Sequence, residues 1–223
     1  MANTRTLAQL RTSVQARGSY ENSTDITTAL LNDFINEAIA EVYDIIVGKW
    51  VDYYTVLSAN IAVTAGTASY AVPTDFYKLR KVEMLYSGTE YRRLFPHDLD
   101  VAHRYTTPVR QKAYRYRLQA GNIVLVPVPA STETMRIYYI PFATRLSADG
   151  DTFDGINNYE ELVIQLALKR CKMREELPTD DIEREVARLT MRIEKASDGR
   201  DAEPFYLDPY GPPGSWDEGD NDY

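Results

Sequence analysis

Residues 25–50, DITTALLNDFINEAIAEVYDIIVGKW, constrain the fold more than any other stretch of this chain. Leu31, Phe34, Ile35, Ala38, Ile39, Val42, Ile45 and Ile46 recur at spacings of three and four, the period of one helix face. Gly48 offers a stop at its end. A face this wide cannot stay in water, so other helices must cover it. The preceding segment TRTLAQLRTSVQARG supplies one, with Leu7, Leu10 and Val14 on a common side. Thr6 and Gln9 have capping-box spacing, and Gly18 is a natural terminator.

Helical periodicity returns only near the far end. In NYEELVIQLALKRCKMREEL, Tyr159, Leu162, Val163, Leu166, Ala167 and Arg170 line one face. Pro178 breaks the chain, Asp180 with Glu183 offers a cap, and Ile182, Val186, Leu189 and Ile193 follow at spacings of four, three and four. Between the two helical regions the texture is β. YYTVLSANIAVTAGTASYAVP reads as two strands around Ala65-Gly66-Thr67. KLRKVEMLYSGTEYRRL reads as a hairpin around Ser87-Gly88, and KAYRYRLQAGNIVLVPVP as another around Gly121-Asn122. TMRIYYIPF is a further strand, and PHDLDVAHRY between them suits a helical turn.

The fold class expected is therefore α+β: a helical bundle built from both chain ends, residues 4–50 and 156–196, with an antiparallel β-rich insertion over 51–155. Residues 197–223 have no period and form an extended acidic, aromatic C-terminal tail. Phe205, Tyr206, Leu207, Tyr210 and Trp216 are costly side chains for a solvated tail, so they are candidate partner-binding residues. Arg115 and Arg117, interleaved with Tyr114 and Tyr116 in VRQKAYRYR, are two more. In a strand the arginines share one face and the tyrosines the other, which fits contact with a partner's carboxylates better than contact with nucleic acid.

At 223 residues the chain can bury roughly 70% of its unfolded surface without disulfides or metal. A single cysteine, Cys171, excludes an internal disulfide and suits a reducing compartment. The first residues lack the apolar core of a secretory signal, no apolar run reaches membrane-spanning length, and a soluble intracellular protein is expected. A net charge of −8 argues against broad electrostatic binding to phosphate backbones. Seventeen tyrosines against six phenylalanines and two tryptophans hint at assembly through wet interfaces.

No catalytic, cofactor or metal site is expected. SADGDTFDGINNYEE (147–161) approaches a calcium loop, with Asp149, Asp151 and Glu160 at positions 1, 3 and 12. However, Phe153 holds position 5 and Gly155 falls at position 7, so the register fails. The alternative is a strand-to-helix joint capped by Asn157 or Asn158, with Glu160 and Glu161 in the first helical turn. His97 and His103 lack the paired cysteines of a zinc finger. Cys171 reads as a buried thiol, and no phosphate-binding or nucleophile-elbow motif is present.

Four stretches in order carry a resemblance. FINEAIAEVYDIIV sets Asn36 inside an apolar face, and GTASYAVPTDFYKLRKVEML sets Gly66, Tyr70, Pro73, Asp75 and Phe76. GNIVLVPVPASTETMRIYYIPFATRLSADGD runs through a Pro-x-Pro into the acidic loop, and NYEELVIQLALKRCKMREEL follows. Over about residues 4–196 this order resembles the head–tail connector (adaptor) proteins of tailed bacteriophages, the tail-tubular-protein-A-like class. The likeness implies a structural virion protein of the neck, made in the host bacterial cytoplasm. It implies a homo-oligomeric ring of twelve copies below the portal, bound to the portal and to the next tail component, whether nozzle, tail tube or fibre. DNA would pass through its channel without sequence-specific binding, past acids lining the wall. Other readings are a head-completion or packaging factor, or a calcium- or metal-dependent enzyme using residues 149–160.

Overall fold

The computed structural model describes residues 5–98, 113–153 and 159–196. It is a mixed α+β fold with four helices and two sheets. Helix α1 (Leu7–Gly18) begins with the expected capping box: Thr6 Oγ1 accepts the Gln9 N–H at 3.3 Å, and Gln9 Oε1 accepts the Thr6 N–H at 3.0 Å. Its left-handed terminal residue is Ser19, at φ 57°, and not Gly18. Gly18 serves a different need. A Cβ there would lie 2.1 Å from the ring of buried Tyr20 and 3.0 Å from Leu168, so glycine permits the close approach.

Helix α2 (Thr28–Lys49) starts under the Thr27 hydroxyl and buries Leu31, Ile35, Ala38, Ile39, Val42 and Ile46. Phe34 and Ile45 sit at the margin of that stripe, partly buried. At its end Trp50, fully buried, donates its backbone N–H to Ile46 O and stacks on Tyr159 at 5.6 Å. Helix α3 (Glu160–Arg174) packs on α1, α2 and α4 (Asp180–Ala196) at once. Ile164 and Leu168 are therefore buried as well as the stripe read from spacing, while Arg170 stays at the surface, bridging Glu37 and Glu41 of α2. Thr179, not Asp180, supports the start of α4, donating its hydroxyl to Glu183 at 3.1 Å.

The strands are β1 (Val56–Leu57), β2 (Ile61–Val63), β3 (Ser69–Ala71), β4 (Phe76–Ser87), β5 (Glu90–Arg93), β6 (Phe95–Pro96), β7 (Arg115–Gln119), β8 (Asn122–Val126) and β9 (Glu133–Pro141). One antiparallel sheet runs β1-β9-β4-β5, with β2 also on β9; the other runs β3-β8-β7-β6. Val63, Val82, Ile123, Leu125, Met135 and Ile137 fill a second core, formed from strands of both sheets. Three expectations change here. The strands flanking Ala65-Gly66-Thr67 do not pair with each other but join different sheets. Tyr70 fixes that turn by accepting the Thr64 N–H at 2.8 Å and donating to Thr67 O at 3.0 Å. The β7–β8 loop is Ala120-Gly121, at φ 48° and 72°, with Gln119 and Asn122 as its closing pair. That is the primed two-residue geometry matching strand twist. Lastly, β6 and β7 run parallel, so the β region is not wholly antiparallel. The helical turn expected in PHDLDVAHRY falls mostly outside the described residues, and its Pro96 belongs to β6.

Helices and sheets meet along residues 141–153. Tyr43 donates its hydroxyl to Pro141 O at 3.0 Å, and Tyr77 bonds Asp44. Asn36 explains its own presence in an apolar face. Its amide satisfies both backbone groups of Leu146, donating to the carbonyl at 3.0 Å and accepting the N–H at 2.8 Å.

Candidate interaction surfaces

The acidic loop closes on the protein itself. Asp151 accepts from the Ser147 and Ala148 N–H groups at 2.7 and 2.8 Å, and those bonds hold its carboxyl below the usual range. Its carbonyl accepts the Leu7 N–H at 2.8 Å, and the Asp149 carbonyl accepts that of Ala8 at 3.2 Å. With the Thr6 cap, the first three free donors of α1 are satisfied. Asp149 also pairs with Arg11 at 2.9 Å. Phe153, at the position where a calcium loop needs an oxygen, is a buried member of the helical core. Tyr159 holds the N-cap position of α3 and makes no side-chain cap bond; Asn157 and Asn158 lie outside the described residues. Glu160 and Glu161 do occupy the first turn. Among the described residues, no three His, Cys, Asp or Glu side chains gather to hold a metal.

His97 is buried at the end of β6, its backbone N–H bonded to Tyr116 O at 2.7 Å; His103 lies outside the described residues. Cys171 belongs to the helical core, where burial and nearby Glu175 push its thiol up to about 11, away from nucleophilic thiolate chemistry. No described helix is long and apolar enough to cross a membrane.

Surface with capacity to spare lies at the end of the sheets remote from the helices. On β7, Arg115, Tyr116 and Arg117 are all half-buried, with Tyr116 packed against the sheet core, while Tyr114 and Leu118, which alternation puts on the face of Tyr116, are exposed. Sequence reading passed over their neighbours on the β4–β5 hairpin and β6. Arg92 lies 3.3 Å over the Tyr86 ring, Arg93 approaches Phe95 at 6.0 Å, and Phe95 is 60% exposed. The signal was present in YRRLFP: alternation that buries Leu94 must turn Arg93 and Phe95 to solvent. A cavity of about 300 Å³ is lined by Arg92, Arg93 and Phe95 together with Met84, Leu94 and Tyr114. Guanidinium groups over aromatic rings suit partner carboxylates and aromatic side chains. The outer face of the larger sheet is spoken for. Burial would raise the Glu83 carboxyl, but Lys81 and Arg136, at 2.7 and 2.8 Å, more than offset this and hold it below the usual range.

Phe205, Tyr206, Leu207, Tyr210 and Trp216 lie outside the described residues. The segment 197–223 holds eight of the 33 acids and one of the 25 bases, so it carries −7 of the chain's −8 and the folded body is nearly balanced. An acidic character spread over the whole protein, as the bulk charge suggested, is not how this chain is built.

The described residues thus form four helices and a two-sheet β region. The family profile described as SU10 adaptor protein matches residues 5–204, and the chain belongs to that family, the structural adaptor proteins of bacteriophages. The match stops just short of Phe205, so the aromatic cluster of the tail lies beyond it. No curated protein matches the sequence.

Proposed function

We propose that the protein is the head–tail adaptor of a tailed bacteriophage, within the tail-tubular-protein-A-like class. Twelve copies form a ring below the portal, extend the DNA channel and give the next tail component its platform. The observation that carries this reading is the adaptor-family match over residues 5–204. The helical bundle is the rigid ring element: its surface charges largely pair within the chain, as Arg170 does with Glu37 and Glu41 and Arg17 with Glu161. A body near charge balance neither grips nor strongly repels passing phosphates, which suits a conduit without sequence-specific contacts. Local acids at the lumen, where present, act as a non-stick lining. The role is structural, without catalysis or a cofactor.

Phage particles assembled without this chain should contain capsids that lack tails. Normally tailed, infectious particles would overturn the proposal. A head-completion or packaging factor predicts a different defect, in which capsids fail to fill with DNA.

A further inference from the structure

The apolar cavity between the β4–β5 hairpin and β6 matches the chemistry of a segment of this same chain. We propose that Trp216 of the C-terminal segment docks in this cavity, with Asp217 and Glu218 on the guanidinium groups of Arg92 and Arg93. Three observations carry this.

The first is shape. About 300 Å³ walled by Met84, Leu94, Phe95 and Tyr114 is at the small end for ligand pockets, room for one aromatic ring system and not for a folded element. The second is charge. Arg93 meets no carboxylate among the described residues, and Arg92 shares only exposed Glu90 at 3.1 Å. Residues 197–223 carry −7 in total and place two acids directly after Trp216. Residues 99–112, which precede Ala113 in the chain, contain Arg104, Arg110 and Lys112 against Asp100, so like charge disfavours them at Arg92 and Arg93. The third is reach. Twenty residues separate Ala196, the end of α4, from the far side of Trp216. Extended, they span up to about 65 Å, whereas all of β4 spans about 40 Å. Pro212 and Pro213 stiffen the approach and lower the entropy lost on docking. The inference does not rest on the adaptor reading, because it concerns this chain's own segment.

Fluorescence of the full-length chain tests it. Trp50 is fully buried and Trp216 is the only other tryptophan, so Trp216→Phe isolates the Trp50 background. Docking predicts that Trp216 is several-fold less accessible to acrylamide in the full chain than in a free peptide of residues 197–223, with blue-shifted emission. The change of two exposed residues, Arg92→Glu/Arg93→Glu, should abolish that shielding while leaving the far-UV circular dichroism spectrum unchanged, and adding Asp217→Lys/Glu218→Lys should restore it. Shielding at every protein concentration identifies docking within one chain, and shielding that grows with concentration identifies docking on a second copy; the cavity is the receptor in both. A Trp216 as accessible in the full chain as in the peptide overturns the proposal, as does shielding that survives Arg92→Glu/Arg93→Glu.

Discussion

In the helical layer, charged side chains that leave the core find partners on the next element. Arg170 spans Glu37 and Glu41, Lys169 and Lys172 meet Glu183 and Asp181, and Arg11 meets Asp149. At the remote end of the sheets the pattern reverses: Phe95 and Leu118 are exposed, and Arg93 faces no acid among the described residues. Both regions have real cores, so stability does not separate them. What separates them is unspent surface. A region that has paired its own charges behaves as a scaffold, and one that leaves apolar and cationic groups open is where a partner gains most.

Substitutions in the two regions should rank by how much internal structure each one disturbs. Ile39→Ala, in a fully packed helix face, should cost about 2–5 kcal/mol in denaturant unfolding. Asn36→Leu should cost a comparable amount. It strands both backbone groups of Leu146 at the joint between layers, at about 1–3 kcal/mol for each unsatisfied group. Thr6→Ala removes the α1 cap and should cost about 0.5–2 kcal/mol, less if the Asp149 and Asp151 carbonyls hold the first turn unaided. Phe95→Ser should change stability by no more than about 0.5 kcal/mol while weakening whatever contact the sheet end makes. Should Phe95→Ser destabilise the free protein as much as Ile39→Ala, the scaffold-and-contact division is wrong.

Much of this contrast was legible in the residues. Three- and four-residue spacing located all four described helices, and the β4–β5 turn, Gly88-Thr89, lies one residue on from the expected Ser87-Gly88, because local chemistry decides both. What spacing cannot encode is which sheet a short strand joins. β2 and β3 are three residues each, and their separation is fixed by pairing with β9 and β8, more than fifty residues away in sequence. The parallel β6–β7 pair was hidden for the same reason. The acidic loop shows a subtler limit. Side-chain register argued against a calcium site, but the loop's structural work is done by the backbone carbonyls of Asp149 and Asp151 on α1, which composition does not report. Alternation puts Arg115 and Arg117 opposite Tyr114 and Tyr116, yet Arg115, Tyr116 and Arg117 are all half-buried on β7. Arg93 and Phe95 follow from the same alternation in YRRLFP, once burial of Leu94 is known.

Electron microscopy of the purified chain mixed with the portal protein decides whether it forms an adaptor ring. The proposed function predicts a ring of twelve subunits seated on the tail-facing end of the portal and continuing its channel. Portal particles that stay bare at that end, with the chain remaining monomeric at saturating concentration, would contradict it.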